Sequence, residues 1–208
     1  MDQNYFTTRY SPDPRRNAVW KAICEYLQKF VPANATVLDL GAGYCDFING
    51  IRATKKYAVD IHPDAGRYGA ADVEFRCGTL QSVDLPARSL DIVLASNFLE
   101  HLTIPECSSV FDRLDSLLKP SGKLILIQPN YYYCVREYWD DFTHVRAFTH
   151  VSLSDYLLSR GYKLVSVEKK FLPMSFKSRL PKSYWMTKMF LASFWRPLAR
   201  QMLIVAEK

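Results

Sequence analysis

The run Val37-Leu38-Asp39-Leu40, followed at once by Gly41-Ala42-Gly43, constrains this chain more than any other feature. A short apolar, β-prone segment breaks into a glycine turn and then a helix, as the first strand of an open α/β sheet does where a ligand binds. Glycines there let a ligand approach the main chain, whose N–H groups are expected to point at it. Asp60 closes the next apolar run, 19 residues after Gly41. A carboxylate near that distance can accept both hydroxyl protons of a ribose. It can equally be a turn aspartate ahead of His62-Pro63.

The alternation of strand and helix continues along the chain. Asp13-Pro14 reads as a helix start, a capping carboxylate followed by proline at the first helical position. That helix is predicted to run to about Phe30, with Val19, Ile23, Tyr26, Leu27 and Phe30 near one face and Pro32 ending it. Strands are predicted at 36–40, ending at Val59-Asp60, and around 73–76. Leu90 to Ala95 is nearly all apolar, as a strand buried on both faces requires. Pro105 to Leu118 reads as an amphipathic helix closed by Lys119-Pro120-Ser121-Gly122. Lys123 to Gln128 follows as a strand and Leu153 to Ser159 as a helix stopped by Gly161. Tyr162 to Lys170 and Gln201 to Lys208 close the chain as strands. This order implies a mostly parallel sheet with right-handed crossovers.

At 208 residues, 49% of them apolar, the chain fits one domain. Residues 1–32 are expected to form an N-terminal helical cap and 171–200 a lid or surface insertion. The five cysteines are odd in number and scattered without a C-x-x-C pair, which reads as a reduced, cytoplasmic protein. Met1 to Tyr10 is polar and aromatic, unlike a signal peptide. No apolar run reaches the ~20 residues a membrane span needs.

The net charge of +6 is unevenly placed. Eight basic and no acidic residues lie between Lys169 and Arg200, leaving 19 basic against 21 acidic residues elsewhere. The same segment carries Phe171, Phe176, Tyr184, Trp185, Phe190, Phe194 and Trp195, and Tyr184 to Trp195 is apolar nearly all round a helix. It reads as a lid or dimer contact, with peripheral contact to the inner face of a membrane as the alternative. The oligomeric state stays open between monomer and dimer. No recognisable nucleic-acid module is present, so nucleic acid is not expected as a partner.

The glycine turn and Asp60 together point to a nucleoside ligand without separating a dinucleotide from S-adenosylmethionine. The third glycine of the dinucleotide pattern is missing, because Asp46 stands there. Further along come Asp84-Leu85-Pro86, the run from Ser89 to Leu102 (SLDIVLASNFLEHL), Leu117 to Leu124 (LLKPSGKL), Phe148-Thr149 with Ser152-Leu153, and Gly161-Tyr162. In this ordered set the chain resembles the class I S-adenosylmethionine-dependent methyltransferases, especially the small bacterial type, over roughly Trp20 to Lys208.

The resemblance implies a Rossmann-like α/β fold, a seven-stranded mostly parallel sheet with helices on both faces and the last strand antiparallel. It also implies S-adenosylmethionine as cofactor. Asp39, Gly41, Ala42 and Gly43 would shape the loop that holds the methionine part. Asp60 would bind the ribose and Ile61 would lie against the adenine, with Thr79 and Leu80 beside it. Ser96 and Asn97 would face the sulfonium. Two positions depart from the family pattern: Cys45 replaces a common third glycine, and Thr79 replaces an aspartate. A threonine hydroxyl accepts without charge, so looser cofactor binding is expected.

Methyl transfer is an in-line displacement, and the protein must mainly align the partners and exclude water. A hydroxyl acceptor also needs a base. His101, one turn past the fourth strand, is one candidate. Asp141, His144 and Arg146, in the loop after the fifth strand, could orient a base and bind an anionic or hydroxyl-rich acceptor. The acceptor expected is a small hydroxylated molecule, such as a sugar or a glycan- or lipid-linked intermediate. Asp140, Asp141 and His144 could also hold a divalent metal, but such an arrangement draws on other strand ends too, and no metal is expected. Two other classes stay open: a nicotinamide-dependent oxidoreductase, for which no Tyr-x-x-x-Lys logic is apparent, and a non-catalytic binding protein on the same fold.

Overall fold

The computed structural model describes residue 13, residues 15–173 and residues 182–208. Pro14, Phe176, Lys177 and Arg179 of the sequence reading lie outside the described residues. The helix α1 (Arg15–Leu27) begins where expected: the Asp13 side chain accepts the Arg15 amide at 3.0 Å, which satisfies an otherwise orphaned helix donor. A 3₁₀ turn, Gln28–Phe30, carries the chain to Pro32.

Seven strands form one sheet: β1 (Thr36–Leu40), β2 (Lys55–Asp60), β3 (Val73–Cys77), β4 (Leu90–Ser96), β5 (Leu118–Pro129), β6 (Lys163–Glu168) and β7 (Gln201–Glu207). Their spatial order is β3-β2-β1-β4-β5-β7-β6. The pairs β1/β2, β2/β3, β1/β4 and β4/β5 are parallel, while β7 runs antiparallel to both neighbours. The chain reverses direction at β1, leading outward through β2 and β3 and then back through β4. That reversal opens a crevice at the carboxyl ends of β1 and β4, the place where ligands bind in such sheets.

Side-chain alternation explains why the sheet is covered on both faces. Along β5, Leu124 and Leu126 enter one core and Ile125 and Ile127 the other; along β7, Ile204 and Ala206 oppose Leu203 and Val205. One core is closed by α3 (Ile104–Leu117) and α5 (His150–Ser159) through Phe111, Leu114, Leu153 and Leu157. The other is closed by α1 and the short α2 (Asp46–Gly50) through Ile23, Leu27, Phe47 and Ile48. The two remaining helices are α4 (Tyr131–Cys134) and α6 (Tyr184–Ala192).

Three local expectations change. The turn Lys119-Pro120-Ser121-Gly122 does not precede the fifth strand but belongs to β5, which pairs Leu118 with Leu90 and then shifts register to join Ile92 to Lys123. Ser121 absorbs the irregularity at φ +62°, as a bulge does. The helix α5 starts at His150, three residues before the apolar run, because the Thr149 hydroxyl accepts the Ser152 amide at 3.1 Å. The helix in the aromatic segment stops at Ala192 rather than continuing to Trp195.

The basic segment also differs from its one-dimensional appearance. Lys182 pairs with Asp13, Lys188 with Glu25, Arg196 with Glu168 and Arg200 with Glu137. Cations without an acidic neighbour in sequence therefore meet acids supplied by Asp13 ahead of α1, by α1, by β6 and by the loop after α4, and α6 is pinned alongside α1. Among the described residues no helix is long and apolar enough to cross a membrane.

Candidate functional site

The first strand positions the site. At its end Gly41 and Gly43 adopt φ +72° and +52°, the left-handed conformation that glycine reaches without strain. Cys45 takes the same conformation at φ +55°, which a glycine would reach with less strain. A Cβ at Gly41 would stand 2.7 Å from the Phe98 ring, so the β4 loop closes directly over the glycine.

The amides of this turn do not point at a ligand. Gly41 and Ala42 both donate to the Val59 carbonyl, at 2.8 and 3.2 Å, and Gly43 donates to Asp60 Oδ2 at 2.9 Å. The expectation of a loop that offers its N–H groups is corrected: the glycines let the turn fold back onto the end of β2 instead. A dinucleotide pyrophosphate would find these three donors engaged, whereas a cofactor without phosphate has no need of them. Asp39 lies beneath the turn, 4% exposed. It accepts the Ile48 amide, but burial dominates and pushes its carboxyl up to about 8.

A cavity of about 470 Å³ opens beside the turn, of a size that takes a small ligand. Its wall includes seven of the residues named from sequence: Gly41, Asp60, Ile61, Thr79, Leu80, Asn97 and His101. Asp60 is nearly buried, and its second oxygen accepts the His62 amide at 2.8 Å. It is thus the turn aspartate and the cavity carboxylate at once. Ile61 leaves apolar surface exposed on the wall. The Thr79 hydroxyl is tied to Ser82, at 3.3 Å from both its amide and its Oγ. Asn97, at φ +50°, has its side-chain oxygen fixed by the Gln201 amide at 2.7 Å. Asp60 beside the apolar surface of Ile61 offers a carboxylate that can accept from ligand hydroxyl groups.

The loop after the fifth strand overhangs the cavity, as expected from sequence, through Thr143 and Val145, while other lining residues were not singled out from sequence. Among these are Phe98 and Leu102 from the β4 loop, and Glu106, Ser109 and Val110 from the start of α3. Thr103-x-x-Glu106 is legible as a capping box, and Glu106 Oε2 does accept the Thr103 amide at 2.8 Å. Its facing the cavity has no signal in the sequence.

Residues 143–146 are stapled to the β4 loop, since the amides of Val145 and Arg146 donate to the Glu100 carbonyl. Asp141 Oδ1 accepts the Thr143 hydroxyl at 2.6 Å, and Thr143 Oγ1 lies 3.0 Å from His101 Nδ1. The Thr143 carbonyl lies 3.2 Å from the same nitrogen. A carbonyl only accepts, so Nδ1 carries the proton and the lone pair stays on Nε2. His144 Nδ1 is likewise 2.7 Å from the Tyr138 carbonyl. Burial, with the neighbouring His144, holds His101 below the ordinary imidazole value. Arg146 is directed elsewhere: its guanidinium lies 4.4 Å over the Phe148 ring and is not part of the cavity wall. Ala42, Gly43, Ser96, Asp141 and His144 are also not among the lining residues.

The model of the methyltransferase domain family matches residues 15–167. The chain is 24% identical over 147 residues to a phosphoethanolamine N-methyltransferase of Plasmodium falciparum (isolate 3D7), covering 65% of this chain and 50% of that one. It thus spans about half the length of the curated relative it matches. A SAM-dependent methyltransferase from Archaeoglobus fulgidus superposes with a TM-score of 0.66 at 22% identity, covering 98% of this chain and 97% of the other. An S-adenosylmethionine-dependent methyltransferase from Mesorhizobium loti superposes with a TM-score of 0.65 at 17% identity, covering 90% and 98%. These likenesses carry the fold.

Proposed function

The chain belongs to the methyltransferase domain family, whose cofactor is S-adenosylmethionine, and from that premise we propose that it methylates a hydroxyl group of a small polar acceptor. S-adenosylmethionine supplies an activated methyl on a sulfonium. In this reading Asp60 binds the ribose hydroxyls, Ile61 and Leu80 flank the adenine beside Thr79, and the turn of Asp39, Gly41, Ala42 and Gly43 shapes the methionine end. Asn97 faces the sulfonium, with Ser96 just behind it at the end of β4. His101 takes the acceptor proton on Nε2, with Asp141 acting through Thr143 to hold its ring. His144 packs against the His101 ring from outside the cavity wall.

The observation that carries the acceptor assignment is the Asp141–Thr143–His101 chain of hydrogen bonds, which ends on a cavity-lining imidazole with its lone pair on Nε2. An alcohol needs such a base in its transition state. The likeness to a phosphoethanolamine N-methyltransferase favours a second reading, in which the acceptor is a primary amine that must also lose a proton.

Calorimetric titration with S-adenosylhomocysteine, with NAD as comparison, tests the cofactor side. Binding of the first alone supports it, and binding of NAD alone overturns it. Turnover of matched alcohol and amine acceptors separates the two readings. A His101→Ala variant with full turnover removes that residue as the base.

Trp185 and Met189 on α6, with Phe194 and Trp195 just after it, leave much apolar surface exposed. We read it as the contact through which the enzyme meets a lipid-linked acceptor at a membrane surface. Because nearby Lys188 and Arg196 are paired within the chain, that contact is apolar more than electrostatic. Sedimentation with neutral vesicles tests it, and no binding discards it.

A further inference from the structure

Glu100 is 1% exposed, and among the described residues neither of its carboxyl oxygens has a hydrogen-bond partner. A buried carboxyl group without a partner is costly, and a cation bound beside it would satisfy it. One ligand atom of Glu100, one of His101 and one of His144 all lie within 4.8 Å of one another. The two imidazole rings stand edge to face, with centroids 5.0 Å apart.

Each ring has its Nδ1 held against a backbone carbonyl. His144 Nδ1–H is directed at the Tyr138 carbonyl and His101 Nδ1–H at the Thr143 carbonyl, which fixes the tautomer and leaves the lone pair on Nε2. The Asp141–Thr143 bond adds a further layer of support behind His101. The elements that supply the cluster are also joined by backbone: Val145 and Arg146 donate to the Glu100 carbonyl at 2.9 and 3.2 Å.

We propose that Glu100, His101 and His144 bind one divalent first-row transition-metal ion at the wall of the cavity. Two imidazoles and one carboxylate suit a borderline ion such as zinc better than magnesium or calcium, which take all-oxygen sets. Three protein ligands also leave coordination positions for an outside oxygen. Zinc ligands at about 2.1 Å stand about 3.4 Å apart in a tetrahedron, so closing on the ion takes side-chain adjustments of about an ångström. His101 belongs both to the cluster and to the cavity wall, so an oxygen of the acceptor can occupy an open position. A bound ion uses the imidazole lone pairs, and in the loaded protein the rings are ligands rather than bases. Of Asp140, Asp141 and His144, considered for a metal from sequence, only His144 belongs to this set.

The binding does not depend on the reading of the acceptor; its use there does. The test is calorimetric titration of the chelator-treated full chain with zinc chloride in the absence of cofactor, with S-adenosylhomocysteine titrated separately. One equivalent of zinc is expected to bind, with a raised melting temperature. His144→Ala and Glu100→Gln are each expected to weaken binding about 100-fold or more. His144 is only partly buried, so its variant keeps the fold and its melting temperature without metal stays near that of the parent. No stoichiometric binding by the parent, or equal binding by a folded His144→Ala variant, overturns the proposal. Intact S-adenosylhomocysteine binding beside either result leaves the methyltransferase reading standing.

Discussion

The Gly43 amide donates to Asp60 Oδ2 at 2.9 Å, joining the turn after β1 to the last residue of β2. The other oxygen of Asp60 accepts the His62 amide, so one carboxylate holds two loops and still lines the cavity. Asn at position 60 sets an amide donor against one of these N–H groups. Asp60→Asn is expected to lose about 1–3 kcal/mol of stability and tenfold or more in S-adenosylhomocysteine affinity. Chemical denaturation and calorimetry read the two effects, and unchanged affinity removes Asp60 from the ribose.

Gly41 meets two demands, a φ of +72° and the Phe98 ring where its Cβ would be. Gly41→Ala is expected to destabilise by about 1–3 kcal/mol. In a Phe98→Ala background the steric part disappears and the backbone part remains, so the two changes are non-additive. A double-mutant cycle from urea unfolding checks this, and strict additivity contradicts the contact.

Asp39 sets a pH dependence. Its folded carboxyl titrates at about 8, above the ordinary value of 3.8, because burial disfavours the charge. Between those values the folded state holds a proton that the unfolded state has released, so this group's contribution to stability falls as pH rises through the window. Asp39→Asn is expected to flatten the fall in urea midpoint between pH ~5 and ~8. A slope equal to that of the parent refutes the assignment.

Cys24, Cys45, Cys107 and Cys134 are buried, and Cys77 is exposed. Burial pushes the thiols of Cys24, Cys45 and Cys134 up to about 12, and that of Cys107 up as well. Thiolates are the reactive form, so one fast thiol is expected in the native protein. Disulfide-exchange titration measures it, and Cys77→Ser is expected to abolish the fast phase.

Thr143 links Asp141 to His101 and lines the cavity. Thr143→Val keeps the shape and removes the link. With the metal-free enzyme, kcat is expected to fall about tenfold or more, with KM for S-adenosylmethionine unchanged. An unchanged kcat over the full pH profile shows that the link does not position the ring.

The sequence by itself determined the sheet and the turn. The continuous apolar runs of β4, β5 and β7 and the glycine turn are local patterns, and local sterics and burial give them one outcome. Asp60 and Gly41 were legible for the same reason, because spacing along one strand–turn–strand unit places them. What tertiary structure decided is whatever depends on distant partners. Gly43 spends its amide on Asp60, Arg146 stacks on Phe148, and the cations of the last segment meet acids from α1 and Asp13 ahead of it, β6 and the loop after α4. Glu100 and His101, adjacent in sequence, meet His144 only because the 143–146 segment pairs its amides with the Glu100 carbonyl. Backbone hydrogen bonds between segments so far apart leave no periodicity in a sequence, and the cluster they create becomes visible only when the chain has closed on itself.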